Sequence, residues 1–270
     1  MRTAFGTAVA AGMSLATDAL ADHCHPPAPF EPLGSGVRIS LSVEAATYDT
    51  GHDEGDYQGV SLGVSYDHRR WLWMRALLPA YRLKRDGEEL YGPGDLVTEA
   101  RVMPLMSSDG VYSAGAGLVV TAPTGDASDD LGMGHFMVMP GLRGEILGEK
   151  VFVQAQVAYG RALTSSASEQ GHDAHEHHDT AGLHPIVNPM NESEIAGAAG
   201  AGYRLHELVR LRAGLYGALP VAMSGGRSRG VAIAGVDLLV DPVDLGLEGQ
   251  LPFAGDPFQM KARLTGGVRF

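Results

Sequence analysis

Apolar and polar residues alternate along most of the chain from Val37 to Phe270. Successive side chains of a strand point to opposite faces, so this period of two predicts strands with one apolar face and one polar face. Twelve segments carry the pattern, and we therefore predict an all-β fold. The predicted strands are residues 37–45, 59–66, 71–83, 96–106, 111–122, 135–147, 151–159, 192–205, 209–216, 230–240, 245–253 and 258–270.

The connections between these segments alternate in length. Tight turns are predicted at 67–70, 107–110, 148–150, 206–207 and 241–244, and longer connections at 49–56, 86–94, 124–134, 164–191 and 223–229. The last connection, 255–257, is short. Short turns at one rim, longer loops at the other and an even strand number are typical of bacterial outer-membrane barrels. The sequence therefore predicts a single antiparallel transmembrane β-barrel of about 12 strands.

The last segment, Phe258 to Phe270, shows the alternation most clearly. Its even positions are apolar or small, whereas most odd positions from Gln259 to Arg269 are polar or charged. This segment, ending on an aromatic residue, resembles the closing strand of bacterial outer-membrane β-barrels. The resemblance implies two partners, which are outer-membrane lipid on the apolar face and the barrel-assembly machinery through Phe270.

The N-terminal region predicts export. A basic start at Arg2, a weakly apolar run and the Ala19-Leu20-Ala21 sequence are typical of a signal peptide over residues 1–21. Residues 22–36 form a Pro-rich leader, which we expect in the periplasm, and residues 37–270 form the barrel. We expect a location in the outer membrane with both termini periplasmic. The net charge of −12 disfavours nucleic acid as a partner.

Charged residues on the non-apolar faces suggest a polar interior. Burying many unpaired ions in a dry core would cost several kcal/mol each, whereas a wet, salt-bridged lumen tolerates them. Two interpretations remain open, a channel lining and a mixed-charge network that fills a narrow barrel. The predicted lumen-lining residues are Arg38, Glu44, Arg75, Glu99, Arg101, Arg143, Glu145, Glu194, Arg210, Arg212, Asp237, Glu248, Lys261, Arg263 and Arg269.

Two histidine-containing segments are candidate metal sites. Imidazole and carboxylate groups at such density suit Zn²⁺, Cu²⁺ or Ni²⁺, although each segment also fits an ordinary solvated surface. No cofactor is required by this interpretation, and any divalent metal would bind weakly. The first segment contains His172, Asp173, His175, Glu176, His177, His178 and Asp179, and the second contains His23, Cys24 and His25.

A short motif suggests a family. Pro123-Thr124-Gly125-Asp126, followed by Leu131-Gly132-Met133-Gly134 and Pro140-Gly141, resembles the outer-membrane transporters of the phenol-degradation meta-pathway type. The resemblance implies a single barrel and passive transport of small compounds, such as aromatic or apolar ones. Pro, Gly and Asp after a strand would also form a loop in any protein.

We do not expect an enzyme. A barrel lipase needs a Ser and a His side by side on the wall near the outer leaflet. His135 lies on that side, whereas Ser113 lies near the predicted periplasmic end. The sequence therefore predicts a passive channel or transporter for small solutes, with a possible metal link through residues 172–178. The alternative is a non-conducting barrel whose extracellular loops bind metal or a partner.

Overall fold

The protein forms a closed, antiparallel β-barrel without helices in the part of the chain that the computed structural model describes, residues 35–51, 53–85, 87–163, 186–221 and 226–270. The strands are β1 Ser35–Asp49, β2 Glu54–His68, β3 Leu72–Arg85, β4 Glu88–Pro93, β5 Leu96–Met106, β6 Tyr112–Ala122, β7 Met137–Leu147, β8 Val151–Ala162, β9 Ser193–His206, β10 Val209–Pro220, β11 Arg229–Val240, β12 Val243–Ala254 and β13 Phe258–Arg269.

Thirteen strand segments build a wall of 12 strands because β4 and β5 share one position. β3 pairs with β4 over Ala80–Arg85 and with β5 over Leu72–Leu77. The sequence predicted a single loop over residues 86–94, and this was wrong in part. Glu88–Pro93 continues the sheet as a hairpin with β3, and only Gly94 and Asp95 interrupt the strand.

The barrel closes between its first and last strands. β1 pairs with β2 on one side and with β13 on the other, and β2 pairs with β3. Hydrogen bonds between Val37 and Phe270 seal this seam at its end, with N···O distances of 3.2 and 2.9 Å. The start of β1 and the end of β13 therefore lie at one rim, together with the tight turns 69–71, 107–111, 148–150, 207–208 and 241–242. We call this the turn rim and the opposite one the loop rim.

The outer surface of the wall is apolar. Leu41, Leu62, Leu215, Leu247 and Leu264 are each about half exposed and alternate with buried inward residues. A soluble protein rarely exposes so continuous an apolar surface, whereas a bilayer requires one. Among the described residues, no helix is long and apolar enough to cross a membrane.

Phe258 and Trp73 lie inside the barrel and not on this outer surface. Phe258 was expected on the apolar outer face with Met260, but it is buried, because the β1–β13 register shifts between Thr47 and Tyr48. Such a bulge turns the following side chains to the other face. Trp73 on β3 is also buried inside, on the same face of the strand as Arg75.

Candidate functional site: the barrel interior

The interior divides into two halves of opposite character. Nearer the turn rim the inward residues form ion pairs, and we call this the charged half. Nearer the loop rim they are mainly apolar and aromatic, and we call this the apolar half. The strand order fixes this division. For example, Arg101, Glu99 and Val97 follow one another along β5 from the turn rim towards the loop rim.

The β10–β13 side of the charged half is a linked network of ions. Asp237 accepts hydrogen bonds from Arg210 at 3.0 Å and from Arg212 at 3.2 Å. Arg212 also contacts Glu248. Asp237 and Arg210 are almost fully excluded from solvent, so each charge depends on its partners.

The barrel seam carries its own ion pairs. Arg263 on β13 donates to Glu44 on β1 at 2.5 Å. Nearer the turn rim, Arg38 Nη2 lies 2.8 Å from Asp244, and Arg269 Nη2 lies 3.1 Å from Asp67. These pairs join β1 to β12 and β13 to β2 across the closure, so they add charge-assisted bonds where the sheet meets its own edge.

A second ionic group lies on β3, β5 and β7. Arg75 and Arg101 both contact the carboxylate of Glu99, at 3.2 and 2.6 Å. The Arg101 guanidinium lies over the ring of Trp73, 3.7 Å from its centroid. Arg143 donates to Glu145 at 2.5 Å. The buried Trp73 thus covers a cluster in which cations outnumber anions, and its ring attracts them.

The predicted lumen-lining residues all lie on the inner side of the wall. Most are buried, while Arg75, Glu99, Arg212 and Arg269 keep some exposure. They do not form one group. The residues of the charged half are Arg38, Glu44, Arg75, Glu99, Arg101, Arg143, Glu145, Arg210, Arg212, Asp237, Glu248, Arg263 and Arg269, and those at the level of the apolar half are Glu194 and Lys261. Whether they line a conducting pore remains a prediction.

Most of the apolar half is one large buried cluster, and Leu77 and Val97 form a second, smaller one. Lys261 lies at the edge of the large cluster that faces the turn rim. Its ammonium lies 4.7 Å from the ring centroid of Phe258 and 5.6 Å from that of Tyr57. The wall members of the large cluster are Ala46, Tyr48, Tyr57, Tyr81, Leu83, Met137, Met139, Ala196, Ala198, Tyr216, Ala218, Val231, Ile233 and Phe258. Its other members, Leu131, Met133, Ile186, Val187 and Met190, come from loops.

These five loop residues belong to two segments that enter the barrel from the loop rim, 186–191 and 131–134. We call them the plug. Leu131 and Val187 are 1% and 0% exposed, so they are as fully buried as any wall residue. Burying an aliphatic side chain contributes about 1.5–3 kcal/mol, so the plug has a substantial apolar reason to stay docked.

Polar contacts hold the first plug segment. Glu194 on β9 accepts hydrogen bonds from the backbone N of Asn191 at 3.1 Å and from its side-chain amide at 2.8 Å. Arg229 on β11 donates to Glu194 at 2.7 Å and also to the carbonyl of Pro189. Asn191 Oδ1 accepts from the backbone N of Arg227 at 3.0 Å. A buried ion pair of the wall therefore also fixes the plug.

Asp95, in the break between β4 and β5, holds the second segment. Its carboxylate accepts from the backbone N of Gly125 at 3.0 Å and of Met133 at 2.7 Å. Burial raises the pKa of this carboxyl group, and those backbone bonds partly offset the rise. Thr124 Oγ1 donates to the Gly94 carbonyl at 2.8 Å. The Pro-Thr-Gly-Asp motif is thus part of the plug's attachment.

Gly132 and Gly125 are needed where the two arms of this loop cross. A Cβ at Gly132 would lie 2.6 Å from Asp95 Oδ1 and 2.7 Å from Gly125 Cα. A Cβ at Gly125 would lie 2.6 Å from the Leu131 carbonyl oxygen. Real Cβ atoms do not approach backbone this closely, so both positions require glycine.

His135 lies beside this attachment. Burial lowers the pKa of its imidazole, while Glu192 and Asp95 act in the opposite direction. Ser113, at the turn-rim end of β6, donates to Glu145 instead. The two residues considered for a lipase therefore lie towards opposite rims.

A cavity lies where the two halves meet. Its turn-rim side is formed by Arg75, Arg101, Arg143 and Gln156, and its loop-rim side by Val97, Val119, Met139, Ala158, Ala196 and Tyr216. Its volume is about 50 Å³, counted as the space open to the centre of a water molecule. One water needs roughly 10–15 Å³ on this measure, so the cavity has room for several waters or one small organic molecule.

The predicted metal sites lie outside the described residues. This applies to His172, Asp173, His175, Glu176, His177, His178 and Asp179 as well as to His23, Cys24 and His25. Within the described ranges, no group of three or more His, Cys, Asp or Glu side chains is arranged to hold a metal ion.

Sequence reasoning missed some ionic partners. Asp67, Asp244 and Arg229 were assigned to connections, yet all three face inwards and form ion pairs. The signal was present, because Asp244 has the same parity as Glu248, and Arg229 has the same parity as Asp237. The plug left no such signal, since its residues follow no period of two.

Comparisons with known proteins place the fold. No protein-family model matches the sequence, and no curated protein matches it significantly. Among solved structures, the KdgM porin is similar with a TM-score of 0.53 and 8% identity, covering 86% of this chain and 99% of that one. The NanC porin has a TM-score of 0.55 at 8% identity, with 84% and 98% covered. The translocator domain of the autotransporter NalP from Neisseria meningitidis has a TM-score of 0.50 at 15% identity, with 89% and 90% covered. The chain thus has the fold of outer-membrane porin and autotransporter barrels.

Proposed function

We propose that this protein is an outer-membrane channel for small solutes, and that the docked plug closes its resting state. The observation that carries the proposal is that loop residues fill part of the barrel interior. At the loop rim the interior is filled in part by Leu131, Met133, Ile186, Val187 and Met190, which belong to loops and not to the wall. Loops can undock while the hydrogen-bonded wall stays intact, so the closure is reversible in principle.

The fold and the apolar outer surface of the wall support this location and this class of cargo. The outer surface is apolar as a bilayer requires, and similar barrels are outer-membrane porins. KdgM was also solved in complex with disordered oligogalacturonate, so a barrel of this fold can hold a solute. The finer assignment to phenolic or other aromatic compounds rests on the Pro-Thr-Gly-Asp resemblance alone.

Conductance in a planar bilayer tests the channel. The folded wild type is expected to open rarely. A Val187→Asp, Met190→Asp variant is expected to open far more often, because two carboxylates cannot remain in the apolar half without a large desolvation cost. The matched control is Leu163→Asp, Val221→Asp, which places the same charges at exposed positions near the loop rim. The proposal would be refuted if neither the wild type nor the Val187→Asp, Met190→Asp variant showed channel events although both are correctly folded.

The second candidate is a non-conducting barrel whose outer loops bind a metal or a partner. The filled interior favours it, since Lys261, Glu194 and Asp237 are almost completely excluded from solvent. The metal link rests on the sequence of residues 172–179. Calorimetric titration of Zn²⁺, Cu²⁺ or Ni²⁺ should show binding that is lost when residues 172–178 are deleted, and unchanged affinity would remove the metal link from either candidate.

A further inference from the structure

The cavity between the two halves has two chemically different sides. On the turn-rim side are three guanidinium groups, those of Arg75, Arg101 and Arg143, and one carboxylate, that of Glu99. Glu145, which binds Arg143 at 2.5 Å, supplies a second carboxylate next to the lining. The cations still exceed the anions by one. An anion entering the cavity would therefore meet a group of side chains whose net charge is positive.

The cationic side also has the geometry to bind an oxyanion. Arg75 and Arg101 share the single carboxylate of Glu99 at 3.2 and 2.6 Å. A guanidinium carries five N–H donors in a planar fork, a geometry that matches the two oxygens of a carboxylate. Bidentate bonds from Arg to a carboxylate are among the strongest that side chains form.

The other side of the cavity cannot bind a charge. Met139 and Tyr216 belong to the apolar cluster, and Val119 packs against it. Ala158 and Ala196 also line this side, and their small side chains leave space for a ligand. Small apolar side chains beside an aromatic ring and a methionine suit an apolar group of a few carbon atoms. A ligand that satisfies both sides must be amphipathic.

We infer that this cavity binds a small organic anion, with its carboxylate on Arg75, Arg101 and Arg143 and its apolar body against Val119, Met139 and Tyr216. The inference deepens the proposed channel function, since it names the class of solute that would pause inside the barrel. Binding itself does not require conduction. The two proposals can therefore fail separately.

Trp73 provides the measurement. The chain has two tryptophans, and Trp71 is exposed at the turn rim, so a Trp71→Phe background leaves Trp73 as the only indole. Its ring lies against Arg101 and Arg75, with centroid distances of 3.7 and 5.0 Å. An anion drawn to these guanidiniums should change the emission of Trp73.

The experiment titrates the folded protein with cyclohexanecarboxylate, which is transparent at the excitation wavelength. We expect a saturable change in emission. The uncharged cyclohexylmethanol lacks the carboxylate, and the small anion acetate lacks the apolar body. Each should bind at least about tenfold more weakly than cyclohexanecarboxylate, which corresponds to about 1.4 kcal/mol or more. Equal responses to cyclohexanecarboxylate and acetate would overturn the inference that the apolar side of the cavity contributes to binding.

Two pairs of variants complete the test. Arg143→Gln, Glu145→Gln removes one cation from the lining without changing the net charge, and its control, Arg38→Gln, Asp244→Asn, does the same for a pair outside the cavity. Ala196→Leu fills the cavity, and its control, Ala46→Leu, enlarges a buried alanine of the same cluster on β1. Binding should weaken about tenfold or more in the first member of each pair and stay close to wild type in its control.

The outcomes separate the two proposals. No saturable change in the folded parent, or equal weakening in both members of a pair, would overturn the anion site whatever the conductance. Anion binding without any channel events would leave the site standing and refute the channel.

Discussion

The two halves of the interior are both buried, but different forces stabilise them. Their side chains also come from different parts of the chain. In the charged half, Asp237 and its arginine partners all belong to wall strands, so their ion pairs are part of the barrel itself. In the apolar half, Leu131 and Val187 come from loops and are held by apolar contact and a few polar attachments. The charged half should therefore fail only with the barrel, whereas the plug can detach alone.

Removing a charge from the charged half should have the largest effect. Asp237→Ala leaves Arg210 and Arg212 buried without their shared carboxylate. We expect a loss of about 3–5 kcal/mol in the free energy of unfolding, because uncompensated buried charges are costly. The midpoint of urea unfolding in lipid vesicles measures it. Glu149→Ala, at an exposed position of a turn, should change stability by less than about 0.5 kcal/mol.

Truncating a plug residue should act locally. Leu131→Ala removes a fully buried side chain, and such truncations cost about 2–5 kcal/mol where the site cannot collapse. We expect this loss to appear in docking of the plug and not in the barrel. Hydrogen–deuterium exchange of residues 126–134 should accelerate while the urea midpoint stays unchanged. An equal loss of both would show that plug and wall unfold as one unit.

Adding one methyl group at the loop crossing should have a smaller effect of the same kind. Gly132→Ala brings a Cβ within 2.7 Å of Gly125 Cα, and overpacking of this sort costs about 1–3 kcal/mol. Protease cleavage within residues 123–136 should become faster. Gly249→Ala is the control, because its Cβ would meet no atom within 4 Å.

The smallest expected effect is that of pH on the plug. Burial lowers the pKa of His135, so the docked state favours the neutral imidazole. The stabilisation from this group is complete above the ordinary histidine pKa of about 6.5 and declines as the pH falls below it. Protease cleavage within residues 123–136 should be severalfold faster at pH 5.5 than at pH 7.5.

A His135→Gln variant isolates this contribution. Asp95 acts in the opposite direction, because its raised pKa makes protonation of the docked state easier as the pH falls. The variant should therefore lose the acceleration or reverse it. An unchanged pH dependence in His135→Gln would assign the effect to another group.

The period of two predicted much of this structure because it reports which residues share a face. The antiparallel barrel of 12 strands followed from it, and the inward side of Arg143 or Asp237 could be read by parity. Parity failed where the register changes. The bulge near Phe258 depends on local pairing that a single strand does not encode.

The sequence by itself determined the fold and the polarity of each face of the wall. Only the tertiary structure decided which charges meet, as in Arg38 with Asp244, and where the interior changes from charged to apolar. It also decided that Leu131 and Val187 lie inside the barrel. The physical reason is that strand periodicity is a local property, whereas ion pairing across a barrel and the docking of loops depend on the closure of the sheet. Closure brings together residues that lie more than two hundred positions apart.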